Sequence, residues 1–289
     1  MNKPDYLAPK TLNEALQVLE EKGDGAKIIA GGTDLVPRMR AGILSPELLV
    51  DLRLLKLNEI KDEGDWIKIG AGATHTELLE SELLEELFPA LIEAVSDVAG
   101  PPIRNRGTLG GNLVNASPAA DLATPLLVYD ARAVITGQKG ESEVVLGDFF
   151  TGPGKTVLKP DEILTEIKIP KLPPRSAASF IKLGKRKAMA IAVVSAAVRL
   201  TLDEEGVISE ARIALGSIAP VPLRIEKAEE VLVGQTPGEE LFIRAGQTAS
   251  DETKPITDLR STADYRKKMV AVLTRRALTA AWEQLKGEK

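Results

Sequence analysis

The order in which helix-like and strand-like apolar patterns follow one another changes near Lys171–Arg175. Before it, the two kinds of element are interspersed. Leu12, Leu16 and Leu19 recur at helical spacing behind Thr11-x-x-Glu14, a capping-box sequence that starts a helix at Thr11. Lys27–Ala30 reads as a short strand ended by Gly31 and Gly32, with a helix starting near Asp34, and a second strand lies near Leu48–Leu52. Ile60–Lys61 and Trp66–Ile69 flank a glycine-containing turn and make a hairpin. Ser81–Ala99 carries a helical stripe of Leu83, Leu84, Leu87, Leu91, Val95 and Val98, with Pro89 as a candidate break. A glycine-rich turn, Gly107–Gly111, precedes a helix from about Ala119 and a strand near Ala133–Thr136, and Ile163–Ile169 alternates as a half-buried strand does.

The adjacent prolines of Lys171–Arg175 suit an extended linker, dividing the chain into units 1–172 and 176–289, the first with lobes of about 1–55 and 56–172. In the second unit, strands come first, at Ser179–Leu183, Val193–Leu202 and Val207–Leu215, with a turn at Asp203–Gly206. Three helical stretches follow, the last over Ala263–Leu285. That order predicts an α+β class with a three-stranded antiparallel sheet backed by helices.

Composition removes several functions. With 289 residues and 44% hydrophobic content there is chain enough for a substantial core. A net charge of −5 argues against a nucleic-acid surface. The longest apolar run, Ala188–Val198, is too short to span a bilayer, and the first residues lack an apolar export core, so a cytoplasmic location is expected. There is no cysteine, which excludes an ordinary iron–sulfur cluster on this chain, and the single histidine, His75, makes a histidine-based metal site unexpected. Redox chemistry here therefore rests on an organic cofactor, or else any chemistry rests on carboxylates and lysines. No metal ligand set and no catalytic residue is assigned.

Two segments suit a phosphate-bearing ligand. In Ile28-Ile29-Ala30-Gly31-Gly32-Thr33-Asp34-Leu35 a strand ends in two glycines and a helix opens, so backbone N–H groups can face an anion. Arg106–Asp121 repeats the arrangement with a longer polar stretch. Neither has the G-x-G-x-x-G spacing of a nicotinamide-type site. Gly154-Lys155-Thr156 imitates the end of a phosphate-binding loop, but Phe149 stands where its first glycine belongs, so Thr151–Gly154 is read as a plain turn.

At these residues the chain resembles the FAD-binding subunits and domains of the molybdenum hydroxylases, such as carbon-monoxide dehydrogenase medium subunits and the flavin domain of xanthine dehydrogenase. The motifs AGGTDL, TLGGNLVNASPAAD, FFTGPGKTVLKPDEILTEIKIP, FIKLGKRKA and RSTADYRKKM occur in the family's order and span nearly the whole chain. The resemblance implies a two-lobed FAD-binding domain of the vanillyl-alcohol-oxidase (PCMH) type and a smaller C-terminal domain of the carbon-monoxide dehydrogenase flavoprotein type. It implies non-covalent FAD held by Ile28–Leu35 and by Thr108, Leu109, Gly110, Gly111 and Asn112. Asp121 would accept hydrogen bonds from the cofactor, Val98 and Leu164 would pack on it, and Lys182 would sit near the ring. Ile191 stands where some members carry a tyrosine against the flavin. His75 lies outside both turns and is read as structural.

The same resemblance implies a large molybdopterin-binding subunit and a small [2Fe–2S] subunit as partners, with electrons leaving FAD for NAD, a quinone or oxygen. Arg260–Met269 and Lys182–Lys187 are the expected docking segments. The alternative is a free-standing FAD-dependent oxidoreductase similar to the cell-wall UDP-sugar reductases.

Overall fold

The computed structural model describes residues 3–287. The N-terminal elements are β1 (Asp5–Leu7), α1 (Leu12–Lys22), β2 (Ala26–Ile29), α2 (Leu35–Arg40) and β3 (Leu48–Asp51). The three strands form a parallel sheet in the order β1-β3-β2. Ala15, Leu16 and Leu19 of α1 close a small core with Ala26, Leu48 and Val50. Thr11 caps α1, its hydroxyl accepting the N–H of Glu14 at 3.2 Å. The Glu14 carboxylate reaches back to the N–H of Lys10 rather than to that of Thr11, so only half of the expected capping box forms.

The middle of the chain runs β4 (Ile60–Glu63), β5 (Trp66–Gly70), α3 (His75–Leu79), α4 (Glu82–Leu87), α5 (Pro89–Ser96), α6 (Pro101–Arg104), α7 (Leu109–Val114), α8 (Ala123–Val128), β6 (Arg132–Gly137), β7 (Gly140–Val145), α9 (Leu146–Phe149), β8 (Phe150–Gly152), β9 (Lys155–Thr156) and β10 (Ile163–Pro170). Its main sheet is antiparallel in the order β4-β5-β10-β6-β7. Ile67 pairs with Ile169 and Ile69 with Ile167, so apolar side chains share the face on which α5, α7 and α8 build the largest core. At the head of β10, Ile163 joins the small first core and Leu164 the large one, tying the two lobes through one strand.

The C-terminal elements are β11 (Ser176–Gly184), β12 (Ala192–Leu202), β13 (Ile208–Gly216), β14 (Leu223–Arg224), α10 (Glu226–Glu230), α11 (Glu239–Asp251) and α12 (Ala263–Gly287). The sheet is antiparallel in the order β11-β12-β13-β14, its two-residue fourth strand being an addition to the three expected. The nearly unbroken apolar run of β12 has a reason: both faces are covered. Val194, Ala196, Val198 and Leu200 pack beneath α11 and α12, while Ala178, Phe180, Ala197 and Ala214 belong to the core of the preceding lobe. Asp130, just past α8, accepts hydrogen bonds from Arg199, Arg212 and Arg224 at 3.1, 3.2 and 2.9 Å, fixing that lobe to the sheet.

The stripe over Ser81–Ala99 divides at the expected break, because Pro89 has no N–H to continue α4 and starts α5 instead. Two other expectations need correction. The helix expected from Ala119 begins at Ala123. Of the expected turn Gly107–Gly111, only Gly107 and Thr108 precede the helix; Gly110 and Gly111 lie inside α7.

Candidate functional site

The first glycine segment follows β2. Gly32 takes φ of +71°, a conformation open to glycine, and Asp34 opens α2 without capping it. Among the described residues, the backbone N–H groups of Gly31, Gly32, Thr33 and Asp34 make no hydrogen bond. Four consecutive unengaged donors are available to an anion. Gly31 itself serves another purpose. A β-carbon there would overlap the carbonyl oxygen of Arg106 and lie 2.6 Å from its carbonyl carbon and 3.0 Å from Cα of Gly107. The two glycine segments are thus in backbone contact, which makes them walls of one site.

The second segment is built differently. Thr108 is the N-cap of α7, its hydroxyl accepting the N–H of Gly111 at 3.0 Å. The N–H groups of Leu109 and Gly110 go to the carbonyls of Ala73 and Ala71, both at 2.8 Å, and that of Asn112 goes to the carbonyl of Thr108 at 3.0 Å. The donors at this helix start are therefore engaged, contrary to the reading that they face an anion. Gly110 is a packing glycine, since a β-carbon would come within 2.7 Å of Ala71 Cβ. Gly111 is open on its outer side, where only the hydroxyl of its own cap lies near. Oδ1 of Asn112 is buried without a partner.

A charged pair lies where α5, the loop before α8 and β11 meet. Lys182 Nζ donates to Asp121 Oδ2 at 2.6 Å and to the carbonyl of Asp97 at 3.0 Å. Their side chains are 5% and 10% exposed, so the pair is desolvated. Burial pushes the Asp121 carboxyl up to about 6, against the pull of Lys182. Asp121 Oδ1 is sealed without a partner, a free acceptor. Val98 adjoins Asp97, half-buried, and its carbonyl accepts from Arg104 at 3.0 Å. Leu164 is buried on β10, the strand on which α7 packs.

The expected residues form two groups: Gly31–Leu35 against the start of α7, and Asp121, Lys182 and Val98 at the sheet edge. Ile28 packs in the first core and Leu109 in the large one, so neither offers its side chain to a ligand. No local pattern signals Arg106 as the partner of Gly31, or Ala71 and Ala73 as acceptors, because those contacts are tertiary. Of the expected docking segments, Lys182 is buried, and so is Arg266, which donates to the carbonyls of Val193 and Ser217 and to Asp258. Ile191 is exposed on the loop after β11. Among the described residues no cluster of acidic or histidine side chains can hold a metal, and no helix is long and apolar enough to cross a membrane.

Comparison with known proteins places the chain in a family. Residues 2–172 match the FAD-binding domain in molybdopterin dehydrogenase, and residues 179–281 the CO dehydrogenase flavoprotein C-terminal domain. The chain is 34% identical to the carbon monoxide dehydrogenase medium chain of Hydrogenophaga pseudoflava over 96% of both chains. It is 35% identical to the nicotinate dehydrogenase FAD-subunit of Eubacterium barkeri, covering 98% of this chain and 97% of the relative. The structure of quinoline 2-oxidoreductase from Pseudomonas putida 86 superposes with a TM-score of 0.92 at 31% identity over 98% of each chain.

Proposed function

Because the chain belongs to the family of FAD-binding subunits of molybdopterin-dependent dehydrogenases, we propose that it holds one non-covalent FAD and passes electrons from the [2Fe–2S] clusters of a small partner subunit to a soluble acceptor such as NAD or a quinone. The substrate is oxidised at the molybdopterin centre of a large partner subunit, and the assembly works in the cytoplasm. The division into units 1–172 and 176–289 is part of the same reading.

The observation that carries it is the conjunction of four unengaged N–H groups at Gly31–Asp34 with two buried, unpartnered acceptors, Asn112 Oδ1 and Asp121 Oδ1. A dinucleotide supplies what each lacks: phosphate oxygens for the donors, and hydroxyl or N–H groups for the acceptors. The open side of Gly111 leaves room for close approach. When bound, FAD supplies two-electron and one-electron redox chemistry that no side chain here offers. Val98 and Leu164 give apolar contact. Lys182 is a desolvated cation that would favour negative charge on a reduced ring bound beside it, and Asp121 holds that cation in place.

The test is co-expression with a two-[2Fe–2S] small subunit and a molybdopterin large subunit. A stable heteromer should form, acid precipitation should leave the yellow colour in the supernatant, and substrate should bleach the flavin within turnover time. Flavin that stays oxidised while molybdenum and clusters are reduced sinks the electron-transfer assignment.

A further inference from the structure

His75, the only histidine of the chain, is 3% exposed at the first position of α3. It lies directly behind the second glycine segment. Its backbone N–H donates to the carbonyl of Gly107 at 2.9 Å, and Thr74 and Thr108 pair as an isolated antiparallel bridge. A β-carbon on Gly107 would lie 3.1 Å from the ring Cδ2 and 3.2 Å from Nε2. The ring edge, Gly107 and Gly31 therefore follow one another in direct succession, ending at the unengaged donors of the first segment.

Packing alone does not account for an imidazole here, since a leucine or phenylalanine would fill the space without stranding a polar atom. Nδ1 is sealed without a partner. Burial, with Arg104 nearby, pushes the ring's pKa down to about 4, so it is neutral under ordinary conditions. In a neutral imidazole one nitrogen carries the proton. A proton on Nδ1 would be a buried donor with no acceptor, and a sealed N–H is less tolerated than a sealed lone pair, which favours the proton on Nε2, beside Gly107. Nε2 makes no hydrogen bond within the described residues, and it is not among the sealed atoms.

We propose that Nε2–H of His75 is a further cofactor-binding donor, hydrogen-bonding an oxygen of the bound dinucleotide at the second glycine segment. This rests on the FAD reading above. A neutral donor suits this wall of the site, whose helix-start N–H groups are already engaged.

The experiment uses the protein in its native complex, freed of flavin in chaotropic salt and titrated with FAD by quenching of flavin fluorescence. His75→Phe should weaken binding about tenfold, the worth of one neutral hydrogen bond, with an unchanged thermal midpoint for the flavin-free protein. His75→Gln, whose amide nitrogen reaches the Nε2 position, should recover most of the loss. If His75→Phe does not fold, His75→Gln and His75→Asn decide, because the shorter amide can mimic only Nδ1; equal affinities overturn the proposal. Wild-type protein that takes up no FAD defeats the cofactor reading itself, whereas full affinity in His75→Phe overturns only the role of His75.

Discussion

Gly31 rests directly on the peptide of Arg106, so closely that the arginine's carbonyl oxygen occupies the place of a β-carbon on the glycine. One lobe's glycine segment is thereby a support for the other's, and the missing side chain is demanded by protein, not by ligand.

That contact separates two substitutions that look equivalent in the sequence. Gly31→Val drives methyl groups into backbone and should lower the unfolding midpoint by several degrees as well as emptying the site. Gly111→Ala brings its β-carbon to 2.9 Å from the Thr108 hydroxyl, a contact that a small shift of this one side chain relieves, and gains helix propensity of about 1 kcal/mol. It should keep near-normal stability while the flavin-to-protein ratio falls. Scanning calorimetry together with visible absorbance reads both; a fully stable Gly31→Val variant contradicts the contact.

Lys182→Met strands a buried carboxylate. Breaking such a pair costs about 3 kcal/mol near neutral pH. The deficit should shrink at about pH 5, where Asp121 can take up a proton and become neutral. Urea unfolding at the two pH values measures it, and a deficit independent of pH would show that Asp121 is not the cause.

His75 and Asp121 pull the acid stability in opposite directions. As pH falls from about 6.5 to about 4, the unfolded chain protonates His75 and the folded chain does not, so stability present above that window is lost through it. Asp121 has a folded pKa of about 6, above its unfolded value of about 3.9. Its protonation favours the fold as pH falls through the same range, and that stability is lost again as pH rises through 6. Compared with wild type, His75→Gln should lose less stability on acidification and Asp121→Asn more. Thermal midpoints across the range test this; parallel curves for all three proteins refute it.

Asp130 holds three arginines, one of which, Arg199, has only 4% of its side chain exposed. Asp130→Ala leaves that guanidinium with Glu210 alone and places alanine at φ of +53°. A loss of about 3 kcal/mol is expected in urea unfolding. Asp130→Asn, which tolerates the backbone conformation, should lose less. Equal midpoints for Asp130→Ala and wild type would remove the network from the account.

Elements with a sustained period were legible in the sequence: α1, the β4–β5 hairpin, β10, the three long C-terminal strands and α12 lie where spacing predicts. β14 was not, since two residues carry no period. The second glycine segment misled for a physical reason. Two adjacent glycines read as a turn, but Thr108 caps a helix that runs through them, and Gly110 is required by Ala71, which is distant in sequence. Residues of the site that came from motif resemblance, such as Asp121 and Lys182, do meet, although 61 positions separate them. His75 could be flagged as the lone histidine, but its orientation toward Gly107 follows from a bridge between segments that no local pattern encodes.

The sheet that is covered on both faces also governs the order in which the protein can be made. As the chain is synthesised, α5 and α8 emerge while the strands that roof them are still untranslated, so an apolar surface stays open until β13 appears. A nascent chain stopped near Lys171–Arg175 is therefore a natural client for a chaperone, and severing the mature protein there should yield two sticky halves that recombine more readily than either stays in solution alone.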